Sequence, residues 1–201
     1  MAFMEQRHVR YIVSTFEESP TTANRMLRLL GQMFQFAIRR GWLETDPTVG
    51  VKPIRVKSVG FTPWSDEDIE IYEKFHPIGT QPRLAMALLL YTGQRRSDVV
   101  QMKYRNVRGD LISVVQEKTS AKLMIPIHPR LKECIDAWEP SSSGHFLTSR
   151  GLGNSPYSAK AFSSVMSAWR EAAGLPAGLS PHGLRKAAAR RLAEAGCTPH
   201  Q

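Results

Sequence analysis

The stretch that decides the fold is RLAMALLLYTGQRRSDVVQMKY, residues 83–104. Its first nine residues are apolar around the whole helical circumference, as expected of a helix buried inside a domain rather than one lying on its surface. Thr92-Gly93 ends that helix. Arg95 then follows a glycine break and precedes a short helical pattern through Val99, Val100 and Met102, for which Ser97 is the expected cap. An arginine held between two elements in this way projects its guanidinium from a fixed loop, and such a placement suits an anion clamp.

Working outward, Ser65 and Asp68 form an acidic variant of the capping box, opening a helix with Ile69, Tyr72 and Phe75. Downstream, Asn106 to Val115 with Gly109-Asp110 at its centre reads as a hairpin, and Lys122 to Ile127 as a third strand. Lys118 sits in the turn between the last two strands, where a flexible cation can swing into a groove. Helices are predicted from Pro129 to Trp138 and around Phe162, Val165, Met166 and Trp169. The last begins at SPHGLRKAAARRLAEAG, residues 180–196, with Ser180 as N-cap and Pro181 at the first helical position. His182 and Arg185, at i and i+3, share one face near the positive end of that helix, where phosphate is favoured.

Upstream, Thr21-Thr22 are read as the cap of a helix running through Arg40 to Gly41. Met26, Leu29, Leu30, Met33, Phe34, Ala37 and Ile38 are expected to form its packing face. Arg25, Arg28, Gln32, Gln35 and Arg39 line another side, which is either a nucleic-acid contact or an ordinary solvated face. Val9, Ile12, Val13 and Phe16 mark a shorter helix before it. The organisation expected is a partial helical unit over residues 1–50, a Pro/Gly-interrupted linker over 51–63, and a larger unit over 64–201.

Composition narrows the partners. The chain has 27 Lys and Arg against 18 Asp and Glu, a net charge of +9, spread over both units rather than gathered in a tail. That favours an acidic polymer, nucleic acid first. Cys134 and Cys197 have no metal-ligand spacing, and read as free thiols in a reducing cytosol. The longest apolar run, Leu84 to Tyr91, is far short of the roughly 20 residues a bilayer span needs, and MAFMEQRHVR lacks a signal-peptide core.

Each basic residue taken alone has an ordinary reading as surface Arg, capping His or turn Lys. Three blocks in order do not: TGQRRSDVVQMKY (92–104), EKTSAKLMIPIHPRL (117–131) and SPHGLRKAAARRLAEAG (180–196) resemble the catalytic domain of the tyrosine recombinases, the phage-integrase family. The match puts Arg95 and nearby Asp98 in the first block, the hairpin Lys118 before Ile125-Pro126-Ile127 in the second, and His182, Leu184, Arg185, Ala189, Leu192 and Gly196 in the third. AIRRGWLETDP (37–47) is similar to the end of the family's core-binding domain, and the resemblance extends over residues 21–201.

The resemblance implies a mainly α fold with a small antiparallel β-sheet (α+β), a catalytic domain preceded by a partial core-binding domain. It implies breaking and rejoining of duplex DNA through a 3′-phosphotyrosyl link, with no metal or other cofactor. Arg95 and Arg185 would hold the non-bridging phosphate oxygens, and His182 would donate to the same phosphate. Lys118 would protonate the leaving 5′-oxygen, and Asp98 would orient its surroundings. Arg25, Arg28, Arg39 and Lys122 would contact DNA. The implied partners are duplex DNA and other recombinase protomers, and the implied location is the cytoplasm, with the nucleoid.

Two departures stand out. Lys186 occupies a position where many members carry a second His, read as tolerated variation. Tyr11, Tyr72, Tyr91, Tyr104 and Tyr157 all precede the HxxR block, so none matches the family's nucleophile. The chain is therefore expected to stop short of that tyrosine, to be inactive alone, and to leave Leu184, Leu192 or Trp169 more exposed than in a complete domain. The rival readings are a non-catalytic DNA-binding module, or a decayed recombinase, competing with a complete one, and a basic helical protein bound to RNA.

Overall fold

Pro20 starts the longest helix of the chain, α2 (Pro20–Arg39), at its first helical position. Its fixed φ already suits a helix, and the amide it lacks would have had no partner there. Ser19, rather than the expected Thr21-Thr22, is the N-cap residue, its carbonyl accepting the N–H groups of Thr22 and Ala23 at 2.8 and 3.0 Å. The helix stops before Gly41, whose φ of +71° turns the chain away. A shorter helix, α1 (Gln6–Ser14), packs on it.

The computed structural model describes residues 4–56, 60–139, 141–149 and 154–198. The chain divides into Met1–Val59 and Gly60–Gln201, each with its own apolar core. In the first unit Val9, Val13, Ala23 and Phe34 are buried, with Leu27, Leu30, Val51 and Ile54 packed around them. The inward arc of α2 is thus Ala23, Leu27, Leu30, Phe34 and Ala37. The packing face expected from sequence is shifted: Leu29 and Met33, roughly a quarter to a third of a turn away, are 49% and 39% exposed. Arg25, Arg28 and Arg39 are exposed, on the side of the helix opposite that arc. The start of the stretch read as a linker belongs to this core. Asn24 accepts the Ile54 N–H at 2.8 Å and donates to its carbonyl at 2.7 Å.

In the second unit α3 (Asp66–Phe75) opens on the reciprocal Ser65/Asp68 capping box, with bonds of 3.0 and 2.8 Å. Helix α4 (Gln81–Thr92) is its centre: Leu84 through Leu90 are all buried, and α4 packs against α6 (Pro129–Asp136) and α8 (Pro181–Glu194). Truncating one such leucine, for example Leu88→Ala, costs about 2–5 kcal/mol in a core of this kind. Gly93, at φ +59°, ends α4 in the left-handed conformation that only glycine enters without strain.

Helix α5 (Arg96–Val99) follows at once, with Arg95 and not Ser97 in the N-cap position. Strands β1 (Val107–Arg108), β2 (Leu111–Val115) and β3 (Lys122–Pro126) form an antiparallel sheet with Ile112 opposite Ile125 and Val114 opposite Leu123. Period-two alternation buries Ile112 and Val114 and leaves Val115 exposed. A short pair unanticipated from sequence, β4 (Thr148–Ser149) and β5 (Ser155–Pro156), precedes α7 (Ala159–Ala172). The fold is mainly α with small antiparallel sheets. Leu184 is fully buried, contrary to the exposure expected, because it faces the α4 core; Leu192 is 54% exposed and Trp169 is half-buried. Among the described residues no helix is long and apolar enough to cross a membrane, and both cysteines are free thiols.

Candidate active site

The site is assembled where the end of α4, the β2–β3 turn and the first turn of α8 meet. Arg95 leaves the Gly93 break with extended backbone, and its Nη1 lies 4.0 Å from Asp98 Oδ2. The same Nη1 donates to Gln116 Oε1 at 3.4 Å. The Asp98 side chain is fully buried. Its Oδ1 accepts the Glu117 backbone N–H at 3.0 Å and the Ser97 hydroxyl at 3.4 Å, while Oδ2 accepts no hydrogen bond among the described residues. Asp98 is therefore a brace between α5 and the hairpin turn, with one edge turned to the arginines.

From α8, His182 and Arg185 come to the same place. Burial, above all, pushes the Arg185 guanidinium below its ordinary pKa; Arg95 adds to this and Asp98 opposes it. Burial likewise pushes His182 below its ordinary value of 6.5, with Arg96, Arg185 and Arg95 adding repulsion. Arg185 Nη1 is buried without a hydrogen-bond partner among the described residues. A buried guanidinium N–H left unpaired carries a real desolvation cost, and like charges held together repel. Both costs are offset if an anion enters.

Of the residues singled out from sequence, Arg95, Asp98, His182 and Arg185 are brought together. Lys118 sits at the exposed tip of the β2–β3 turn, and its neighbours Gln116 and Glu117 are bonded to Arg95 and Asp98. Its ammonium makes no hydrogen bond or ion pair among the described residues. Lys122 is exposed at the start of β3, opposite Val115. Arg25, Arg28 and Arg39 belong to the other unit.

Sequence reasoning missed Gln94, Gln116, Arg96 and Phe61. Gln116 Nε2 donates to buried Gln94 Oε1 at 2.8 Å, and its own Oε1 takes Thr119 Oγ1 at 2.7 Å as well as Arg95. A lone amide in a strand end has no pattern that would reveal this. Arg96, next to Arg95, donates its Nη1 to Ser163 Oγ on α7 at 2.8 Å.

Four of the five tyrosines lie in this unit and are committed elsewhere. Tyr72 is buried in the core, and burial drives its pKa far up. Tyr104 is pushed up to about 12 by burial and donates to the Trp138 carbonyl at 2.8 Å. Tyr157 donates to Gln81 Oε1 at 3.1 Å, and Tyr91 stacks on His128 at 4.3 Å. Tyr11 is on α1.

Two arginines and a histidine brought together beside a buried carboxylate form a site suited to an anion. The comparisons agree: the phage integrase family model matches residues 67–201, and the chain belongs to that family. It is 28% identical to the integrase of Escherichia phage HK022 across 94% of its own length and 56% of that protein's. Against a tyrosine recombinase XerD of Ralstonia nicotianae the identity is 25%, over 92% and 65% respectively. The chain thus spans just over half the length of the HK022 integrase. In structure it superposes on the lambda integrase(75-356) dimer bound to a COC′ core site with a TM-score of 0.81, at 24% identity, covering 97% of this chain and 76% of that one. The Tn1549 transposon integrase in complex with circular intermediate DNA gives 0.78 at 17% identity, covering 98% and 75%.

Proposed function

We propose that this chain is the DNA-binding, phosphate-clamping portion of a site-specific tyrosine recombinase. The observation that carries the reading is the unpartnered, buried Nη1 of Arg185 beside Arg95 and His182. Arg95 and Arg185 would take the two non-bridging oxygens of a scissile phosphate. As a tyrosine hydroxyl attacks, its proton passes to solvent, the O–P bond forms on one side, the bond to the 5′-oxygen breaks, and negative charge grows on those oxygens. The preformed clamp stabilises that charge without reorganisation. His182, neutral near pH 7, donates one N–H to the phosphate. Lys118 carries the proton for the departing 5′-oxygen, which leaves as a hydroxyl. Asp98 positions Arg95 and the hairpin rather than touching the phosphate.

The domains proposed are a partial core-binding domain over residues 1–50, a linker over 51–63 and a catalytic domain over 64–201, with Arg25, Arg28, Arg39 and Lys122 contacting the duplex. The protein would act in the cytoplasm, on DNA in the nucleoid, together with other recombinase protomers; DNA-bound dimers and tetramers of lambda integrase are the precedent. A second reading has one observation in its favour. With four tyrosines committed elsewhere in the catalytic unit, the clamp lacks an attacking group from these residues, as a purely binding module would.

Competition between duplex DNA and structured RNA of equal length tests the proposal. Preference for duplex, weakened by Arg185→Ala, is the expected result. Equal or stronger binding to RNA would remove the recombinase reading.

A further inference from the structure

Gly60 to Trp64 forms a strap across the first turn of α8, and it is tied down at several points. Lys186 Nζ donates to the Phe61 carbonyl at 2.8 Å. Trp64 N–H reaches the Gly183 carbonyl at 3.4 Å, and Trp64 Nε1 donates to the Ser180 carbonyl at 3.0 Å. The strap runs so close that a Cβ on Gly183 would fall 2.2 Å from the Thr62 carbonyl oxygen. Trp64, 1% exposed, roots it in the core. The result is that the Phe61 ring lies stacked on His182, with centroids 4.6 Å apart and planes 26° from parallel.

From this geometry we infer that Phe61 is a positioning residue: held by its Lys186-bound carbonyl, its ring fixes the plane of the His182 imidazole at the phosphate clamp. The inference rests on the reading of Arg95, His182 and Arg185 as that clamp. Among the described residues no hydrogen bond holds the imidazole, and the torsion that rotates a histidine ring is intrinsically soft. An aromatic face laid against it leaves the ring edge, with its two nitrogens, directed at an anion. The groups facing His182 electrostatically are Arg95, Arg96 and Arg185; all are cations, so none can orient the ring by accepting its proton. Phe61 covers one face from water, consistent with burial as the main cause of the lowered His182 pKa. Lys186 gains a reason as well. The residue that replaces a second histidine of many relatives serves here as a backbone anchor.

The test is an imidazole NMR titration of the intact 201-residue chain, with His182 assigned by His182→Asn. Duplex-DNA affinity is measured in parallel. Phe61 is 51% exposed, so Phe61→Leu should fold, and a dispersed amide spectrum verifies it. In Phe61→Leu the His182 ring protons should lose their ring-current shift, the midpoint should rise toward the ordinary value, and duplex affinity should fall several-fold. Phe61→Trp should restore all three, while Lys186→Met should move them part of the way. Unchanged His182 resonances and midpoint in folded Phe61→Leu overturn the stack as a positioning device, whatever happens to DNA binding. If the resonances move but neither Phe61→Leu nor Arg185→Ala weakens duplex binding, the clamp reading falls, and with it the purpose assigned to the stack.

Discussion

Asp98 Oδ1 accepts the Glu117 backbone N–H at 3.0 Å, so a fully buried carboxylate in α5 holds the residue immediately before Lys118. Together with the Gln116 bonds to Arg95 and Gln94, it joins the loop that presents Arg95 to the hairpin that presents Lys118. It also means that Asp98 is satisfied by a neutral amide on one oxygen, leaving the other to balance the arginines.

Replacing Asp98 by Ala should therefore cost about 2 kcal/mol of stability, the cost of an orphaned buried N–H and an uncompensated guanidinium. Asp98→Asn keeps an acceptor for Glu117 and should cost about half as much. Urea denaturation checks this; a loss in Asp98→Ala no larger than that of an exposed substitution would show that the brace carries no load.

The pH response follows from His182, whose folded pKa lies below its ordinary 6.5. The unfolded chain then binds more protons, so the stability this group contributes is present above pH 6.5 and is lost as pH falls from there through the folded value. DNA reverses the sign, because a phosphate between the cations favours the imidazolium. Duplex affinity should rise as pH falls through the same window, with proton uptake. In His182→Gln this share of both dependences should vanish; if it persists undiminished, another group is responsible.

A suicide duplex that traps covalent protein–DNA adducts should yield none with these 201 residues alone, since the second unit's tyrosines are held in the core, in hydrogen bonds or, for Tyr91, against the His128 ring, and Tyr11 matches no family nucleophile. Charge stabilisation without a positioned nucleophile forgoes on the order of 7–11 kcal/mol of barrier reduction. An adduct on any of the five tyrosines would contradict this. Cleavage restored by adding a tyrosine-bearing segment would support it.

Gly183→Ala is expected to be among the most damaging single changes on α8. Its Cβ would meet the Thr62 carbonyl oxygen at 2.2 Å, so the strap must lift, at a cost of about 1–3 kcal/mol. Thermal unfolding measures this, and a neutral outcome would mean that the strap is loosely held.

Much of this was legible from sequence because it rests on local rules. The all-round apolar run of α4, the Ser65/Asp68 box and the Ser180-Pro181 start each announce themselves within a few residues. Arg95, Asp98, His182 and Arg185 are singled out because three ordered blocks resemble a family. What escaped depends on distant partners. Ser97 looked like a cap, yet Arg95 occupies that position because the Gly93 turn fixes where α5 can begin. Leu29 and Met33 looked inward-facing, but the short α1 covers only a narrow arc of α2. Gln116 and Phe61 matter through contacts across 21 and 121 positions of sequence, which no periodicity encodes.

The central claim is that basic groups carried by each unit, Arg95 and Arg185 foremost, grip duplex phosphates, and a salt titration of duplex affinity tests it most directly. With about five phosphate contacts the log–log slope should be roughly −4 to −5. Arg95→Ala/Arg185→Ala, and separately Arg25→Ala/Arg28→Ala, should each flatten it by up to about two. Absent duplex binding at low salt, an affinity indifferent to salt, or a slope untouched by loss of both Arg95 and Arg185 would contradict the account.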